Sequence, residues 1–236
     1  VVDIATKNTD EKETQVLITL QDEAKKKTPK ILTPKETILE QKREVSLKEE
    51  KDNNRYYVYV KGEVVLTTDS VSDAIIAANS QMGVVIGENQ QYVWKRSRKT
   101  AQAAFNDIVV GEEDSGAGSI AQCVNAILEK EEINISVSAL ISQGETPKQI
   151  LLNTLKDATV LDLTGCTVDE ILYYVSNGYP VFAMTGSSDA VLVVGYDANN
   201  VVLYDPAMGQ TYKRTTADAD EMFFNAGNIF FTYQKS

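Results

Sequence analysis

Asp114-Ser115-Gly116-Ala117-Gly118-Ser119-Ile120-Ala121-Gln122-Cys123-Val124-Asn125-Ala126-Ile127-Leu128 reads as a tight turn feeding a helix. Asp114, Ser115 and Gly116 supply turn and N-cap chemistry, and Ile120, Cys123, Val124, Ile127 and Leu128 then recur at helical spacing. That spacing predicts one buried face. A side chain at the mouth of such a helix meets the positive end of the backbone dipole and unpaired N–H groups, a natural place for a nucleophile or an anion. Ser115 occupies that place.

Downstream, Ser136–Ile141 predicts a short helix, and Thr146-Pro147-Lys148-Gln149 a third, with proline at its favoured first position and glutamine at capping-box spacing. Val160–Leu163 reads as a short strand, and Thr167-Val168-Asp169-Glu170 as another capping box, its helix stopped at Asn177-Gly178. Strands are then expected at Pro180–Met184, Ala190–Tyr196, Val201–Tyr204, Gln210–Lys213 and Ile229–Tyr233. Joined by short turns with no helix between them, they must pair largely antiparallel. Helices first and sheet second is the α+β order.

Upstream, Tyr56–Val60 and Val64–Thr68 flank Lys61-Gly62-Glu63 as a β-hairpin. Asp69–Asp73 caps a helix through Asn79, and Gly83–Ile86 and Gln91–Trp94 read as two more strands, so residues 56–100 form a small ββαββ module. Its Tyr56, Tyr57, Tyr59, Tyr92 and Trp94 suit cross-strand packing, with an aromatic binding face as the other reading. Lys95, Arg96, Arg98 and Lys99 read as a solvated link into the last domain. Residues 1–55, with a strand over Thr14–Leu20 and a helix opening at Thr33-Pro34, have few apolar anchors and read as an arm or stalk.

The opening stretch, together with Asp189–Asp197 (DAVLVVGYD) and Tyr204-Asp205-Pro206, resembles the bacteriocin-processing endopeptidases and their relatives, which are papain-like cysteine peptidases. In that family a Cys opens the first helix, a His starts an apolar strand ending Gly-Tyr-Asp, and an Asp-Pro closes the next strand. The resemblance spans residues 101–236 and implies a papain-like fold, helices packed on a mostly antiparallel sheet. It places Ser115 at the Cys position, Asp189 at the His position and Asp205 at the Asp position, and only Asp205 keeps the family residue. The family's oxyanion glutamine is missing too: its expected position is Val109, and the nearest upstream glutamine is Gln102. The ββαββ stretch resembles small modules that precede peptidase-like domains in surface proteins of Gram-positive bacteria.

A papain-like site needs a thiol that ionises near neutral pH, helped by a histidine and the helix terminus. Serine ionises far less readily, and a carboxylate of ordinary pKa about 3.9 is a much weaker base than an imidazole of about 6.5. The chain contains no histidine at all. A deliberate Cys-to-Ser exchange would leave the histidine and the glutamine in place, so their absence points to natural loss of activity. Ser115, Asp189 and Asp205 are also ordinary as an N-cap, a strand-start residue and the anchor of an Asp-Pro turn.

The net charge of −11 is unevenly spread: residues 1–55 hold 12 basic and 12 acidic side chains, residues 56–100 hold 5 and 4, and residues 101–236 hold 6 and 18. An acidic domain repels phosphate backbones, which disfavours nucleic acid and favours a cationic or neutral peptide, or another surface protein, as partner. The bland reading of that charge is a solubilising surface. No run is long enough to span a membrane. Two cysteines without histidine imply neither metal nor cofactor; Cys123 and Cys166 read as unpaired core residues, with a disulfide as the alternative.

The expectation is therefore an N-terminal arm over 1–55, a ββαββ module over 56–100 and a degenerate papain-like peptidase-like domain over 101–236. Its reading leans away from an enzyme and towards peptide binding or scaffolding in a bacterial surface or secreted protein, anchored through a segment upstream of Val1. Two alternatives stay open: an active peptidase or amidase using Ser115 with an unrecognised base, and a purely structural spacer.

Overall fold

A computed structural model describes residues 54–96 and 117–235. The expected hairpin is present as β1 (Tyr56–Val60) and β2 (Glu63–Thr68). Lys61 and Gly62 between them both have positive φ, 52° and 89°, as a two-residue turn matched to strand twist requires. Helix α1 (Val71–Ser80) follows, its N-cap Ser70 accepting the Asp73 N–H at 3.2 Å. With β3 (Val84–Gly87) and β4 (Tyr92–Lys95) the strands form an antiparallel sheet in the order β2-β1-β3-β4. Period-two alternation sends Val58, Val85 and Val93 to the face where Ala74, Ile75 and Ala78 of α1 are buried. Tyr57 and Tyr59 fall on the other face and stay half-buried.

The larger region begins with α2 (Ser119–Lys130), α3 (Val137–Ser142) and α4 (Pro147–Thr154). The capping box expected at α4 is reciprocal: the Gln149 N–H donates to Thr146 Oγ1 at 3.3 Å, and the Thr146 N–H donates to Gln149 Oε1 at 2.9 Å. Then come β5 (Ala158–Asp162), α5 (Val168–Ser176), β6 (Val181–Met184), β7 (Ala190–Tyr196), β8 (Asn200–Asp205), β9 (Gln210–Thr215), α6 (Thr216–Asn225) and β10 (Phe230–Lys235). The six strands form one sheet in the order β5-β10-β6-β7-β8-β9, and every neighbouring pair is antiparallel.

The described residues thus hold two antiparallel sheets and six helices. Both faces of the large sheet are covered, which is why β7 is buried along its whole length. Phe182, Leu192, Val194 and Tyr204 share one core with Val124, Ile127 and Leu128 of α2 and with Ile150 and Leu151 of α4. Val181, Val191, Val193 and Leu203 point the other way, into a core with Ile171 and Leu172 of α5, Phe223 of α6 and the inner face of the small sheet. Adjacent strand residues therefore belong to opposite cores, and every one of them is apolar.

The small sheet and α1 are fastened to α5. Trp94, buried at the end of β4, donates its indole N–H to the Glu170 carbonyl at 3.0 Å, and Asn79 Nδ2 donates to Glu170 Oε1 at 3.0 Å. Glu170 is itself buried, and its Oε2 accepts from the Thr167 N–H at 2.8 Å and hydroxyl at 3.1 Å, closing the start of α5.

Two expectations are corrected. Strands β9 and β10 are separated by α6, capped by Thr215 Oγ1 accepting the Asp218 N–H at 3.1 Å. Only Ala219 and Phe223 are buried on that helix, too little apolar periodicity to announce it. The N-cap of α2 is Gly118, extended in backbone and with no side chain to cap, rather than a residue of Asp114–Gly116. The aromatic row of the module is divided: Tyr56 and Trp94 lie in the core, while Tyr92 is exposed. Cys123 and Cys166 are both free and buried, in opposite cores. Residues 1–53 of the arm expected over 1–55, with its Thr14–Leu20 strand and Thr33 helix, and the 97–116 segment with Ser115 lie outside the described residues.

Candidate functional site

The start of α2 meets the start of β7. Thr185 to Asp189 turns the chain between β6 and β7, the Thr185 N–H donating to the Asp189 carbonyl at 2.8 Å. This turn sets Asp189 beside Ser119, the first residue of α2. The Ser119 hydroxyl accepts the Ala190 N–H at 3.1 Å and reaches Asp189 Oδ1 at 3.5 Å, the outer limit of a hydrogen bond. One serine hydroxyl thereby binds helix to strand. Its acceptor side is taken by a backbone donor and its proton is directed at a carboxylate, so it is held as a structural bridge.

Asp205 ends β8, on the strand next to β7. The register Leu192–Tyr204 and Val193–Leu203 runs towards the end of the sheet at which Asp189 lies, so both aspartates stand at that end. Asp205 Oδ1 accepts the Ala207 N–H at 2.9 Å and shapes the turn before β9. Its charge also reaches α2: burial, and after it the Asp205 carboxylate, push the Cys123 thiol well above its ordinary range. Cys123 sits one turn beyond Ser119. A thiol buried near a carboxylate stays protonated and unreactive.

Asp189 and Asp205 are thus gathered where the first helix meets the sheet, with Ser119 and Cys123 opposite them. Ser119 belongs to no motif of its own, and its place at the first helical position, inside the opening stretch, is its one signal in the sequence. Gln122 ties the helix to the turn before it, its Nε2 donating to the Ala117 carbonyl at 2.9 Å. Among the described residues no three His, Cys, Asp or Glu side chains are grouped so as to hold a metal ion, and no helix is long and apolar enough to cross a membrane.

Among solved structures, a Bacillus anthracis protein described as a C39-like peptidase is similar to this chain. The match covers 61% of this chain and 98% of that one, with a TM-score of 0.43 and 15% identity. No sequence-family profile and no curated protein matches the chain.

Proposed function

We propose that residues 101–236 are a peptidase-like domain that has lost catalysis and serves to bind peptide or to scaffold, in a surface or secreted bacterial protein. The observation that carries this reading is Asp189. It lies just before β7 beside the first residue of α2, its carboxylate at 3.5 Å from the Ser119 hydroxyl, and the resemblance implies a histidine at its position. No side chain in the chain can serve as an imidazole base, because there is no histidine. A carboxylate there leaves any serine nucleophile without a matched proton acceptor.

Incubation with a mixed peptide library and with a serine-reactive fluorophosphonate tests the proposal. Neither cleavage nor labelling is expected. Labelling that disappears in Ser115→Ala would establish Ser115 as an active nucleophile and overturn the proposal; labelling lost in Ser119→Ala would do the same for the bridging serine.

A further inference from the structure

The four-stranded sheet has a second face, turned away from α1. Cross-strand partners point to the same side, so the pairs Tyr57–Ile86, Tyr59–Val84, Ile86–Tyr92 and Val84–Lys95 place these side chains together on that face. The outward face of an antiparallel sheet is ordinarily polar. Here it is aliphatic and aromatic, and a groove of about 340 Å³ opens on it between Tyr59, Met82, Val84, Ile86 and Tyr92.

Met82 stands at the rim, 83% exposed, with φ 55°. That left-handed backbone favours glycine or asparagine, and so exposed a methionine gains little burial within the fold to offset it. The fold alone gives no reason for a methionine here, whereas contact with a partner does. Gly83 after it is dictated by the fold, since a Cβ there would lie 2.6 Å from the Tyr59 carbonyl oxygen.

Charge and backbone chemistry narrow the partner. Lys61 lines the groove, and the Lys95 ammonium lies 5.2 Å from the centre of the Tyr92 ring; the register sets both lysines at the hairpin end of the sheet. Glu63 pairs with Val60, which packs into the α1 core, so it points to the other face. Among the described residues no carboxylate lines the groove. A second copy would bring two more lysines to it, and a flat bilayer meets Met82 before it meets the half-buried Val84 and Ile86. An extended segment lying on a sheet face would leave its own N–H and C=O groups without partners, because those of the sheet bond within its plane; a helix satisfies its own. Four strands are roughly 14 Å across, wide enough for one helix about 10 Å in diameter. We propose that this face docks an amphipathic helix of a partner protein, its apolar stripe in the groove and its acidic side chains against Lys61 and Lys95. The site is independent of the function proposed for residues 101–236.

The whole chain titrated, by fluorescence anisotropy, against a labelled peptide of about four helical turns with leucine on one face and glutamate on the other tests it. Micromolar binding is expected, at least about tenfold weaker when lysine replaces glutamate or when the order is scrambled so that the leucine face is lost. Lys61→Glu with Lys95→Glu should reverse the preference between the glutamate and lysine peptides. Met82→Gly, which suits φ 55° better than methionine does, should keep or raise Tm while weakening the glutamate peptide at least about fivefold. The proposal is overturned if the lysine or scrambled peptide binds as tightly, or if Met82→Gly leaves the affinity unchanged. It is equally overturned if the glutamate peptide fails to bind while phosphatidylglycerol vesicles, or a second copy in sedimentation, take the face instead.

Discussion

Glu170 shows how much one buried carboxylate can hold. Its two oxygens and its carbonyl receive four hydrogen bonds, from Asn79, Trp94 and both the N–H and hydroxyl of Thr167. Glu170→Ala removes the side-chain bonds and leaves the Asn79 amide and the Thr167 N–H without their acceptor. A loss of about 2–3 kcal/mol is expected, read as a lower midpoint in urea with an unchanged slope. An unchanged midpoint would show that water replaces the carboxylate freely. Glu131 plays a comparable part at the end of α2, bonded to Lys235 and Tyr233 of β10 and paired with Lys130 at 3.4 Å. Burial pushes its carboxyl up, but the Lys235 and Tyr233 hydrogen bonds and the lysine charges outweigh that and hold it below the ordinary carboxylate range. A depressed carboxyl stabilises the fold above its unfolded-state pKa, about 4.3, and that contribution disappears as pH falls through the lower folded value. Glu131→Gln should therefore cost about 1–2 kcal/mol at neutral pH, and the gap in Tm from the parent protein should close below about pH 4. A gap that persists in acid would mean that packing, and not charge, holds the site.

At the scale of elements, legibility followed locality. The α4 cap, the Lys61-Gly62 turn and the Asn177-Gly178 stop, where Gly178 has φ 86°, are written within a few residues and were readable as such. The Ser119–Ala190 bond joins residues 71 apart, and nothing near either residue announces it. The same holds for the side on which each tyrosine of β1 falls, which depends on α1 covering one face of its sheet. Helix α6 is faint in the sequence because two buried residues one turn apart make a weak period, although Phe223 is fully buried against Phe230 with ring centroids 5.2 Å apart. Phe223→Ala should thus cost about 3–5 kcal/mol despite the modest look of its helix. Ser119→Ala should cost only about 1 kcal/mol, the worth of one bridging hydroxyl, and should raise amide hydrogen exchange at Ala190. Unchanged exchange there would show that α2 and β7 are held together by their apolar contacts alone.

Over the whole molecule the charge is as segregated as the packing. Residues 101–236 carry 18 acidic against 6 basic side chains, and Asp189, exposed, and Asp205, half-buried, stand at one end of the large sheet beside the first turns of α2. Asp189 is open to solvent and Asp205 partly so, and their field reaches a passing chain through water. Two carboxylates stand at that end, so any peptide laid across it meets attraction if it is basic and repulsion if it is acidic. Because the interaction acts through solvent, it must decay with the Debye length, about 10 Å at 0.1 M salt. Lysine-rich and glutamate-rich peptides of equal length, titrated by calorimetry at low and high salt, should bind in that order, and the difference should shrink as salt is added. Asp189→Asn and Asp205→Asn together should remove most of the preference while leaving the fold intact, since the Asp205 turn needs only an acceptor oxygen for the Ala207 N–H, which asparagine also provides. Equal binding of the two peptides at low salt, or a preference that survives the double substitution, would assign the acidic surface to solubility alone.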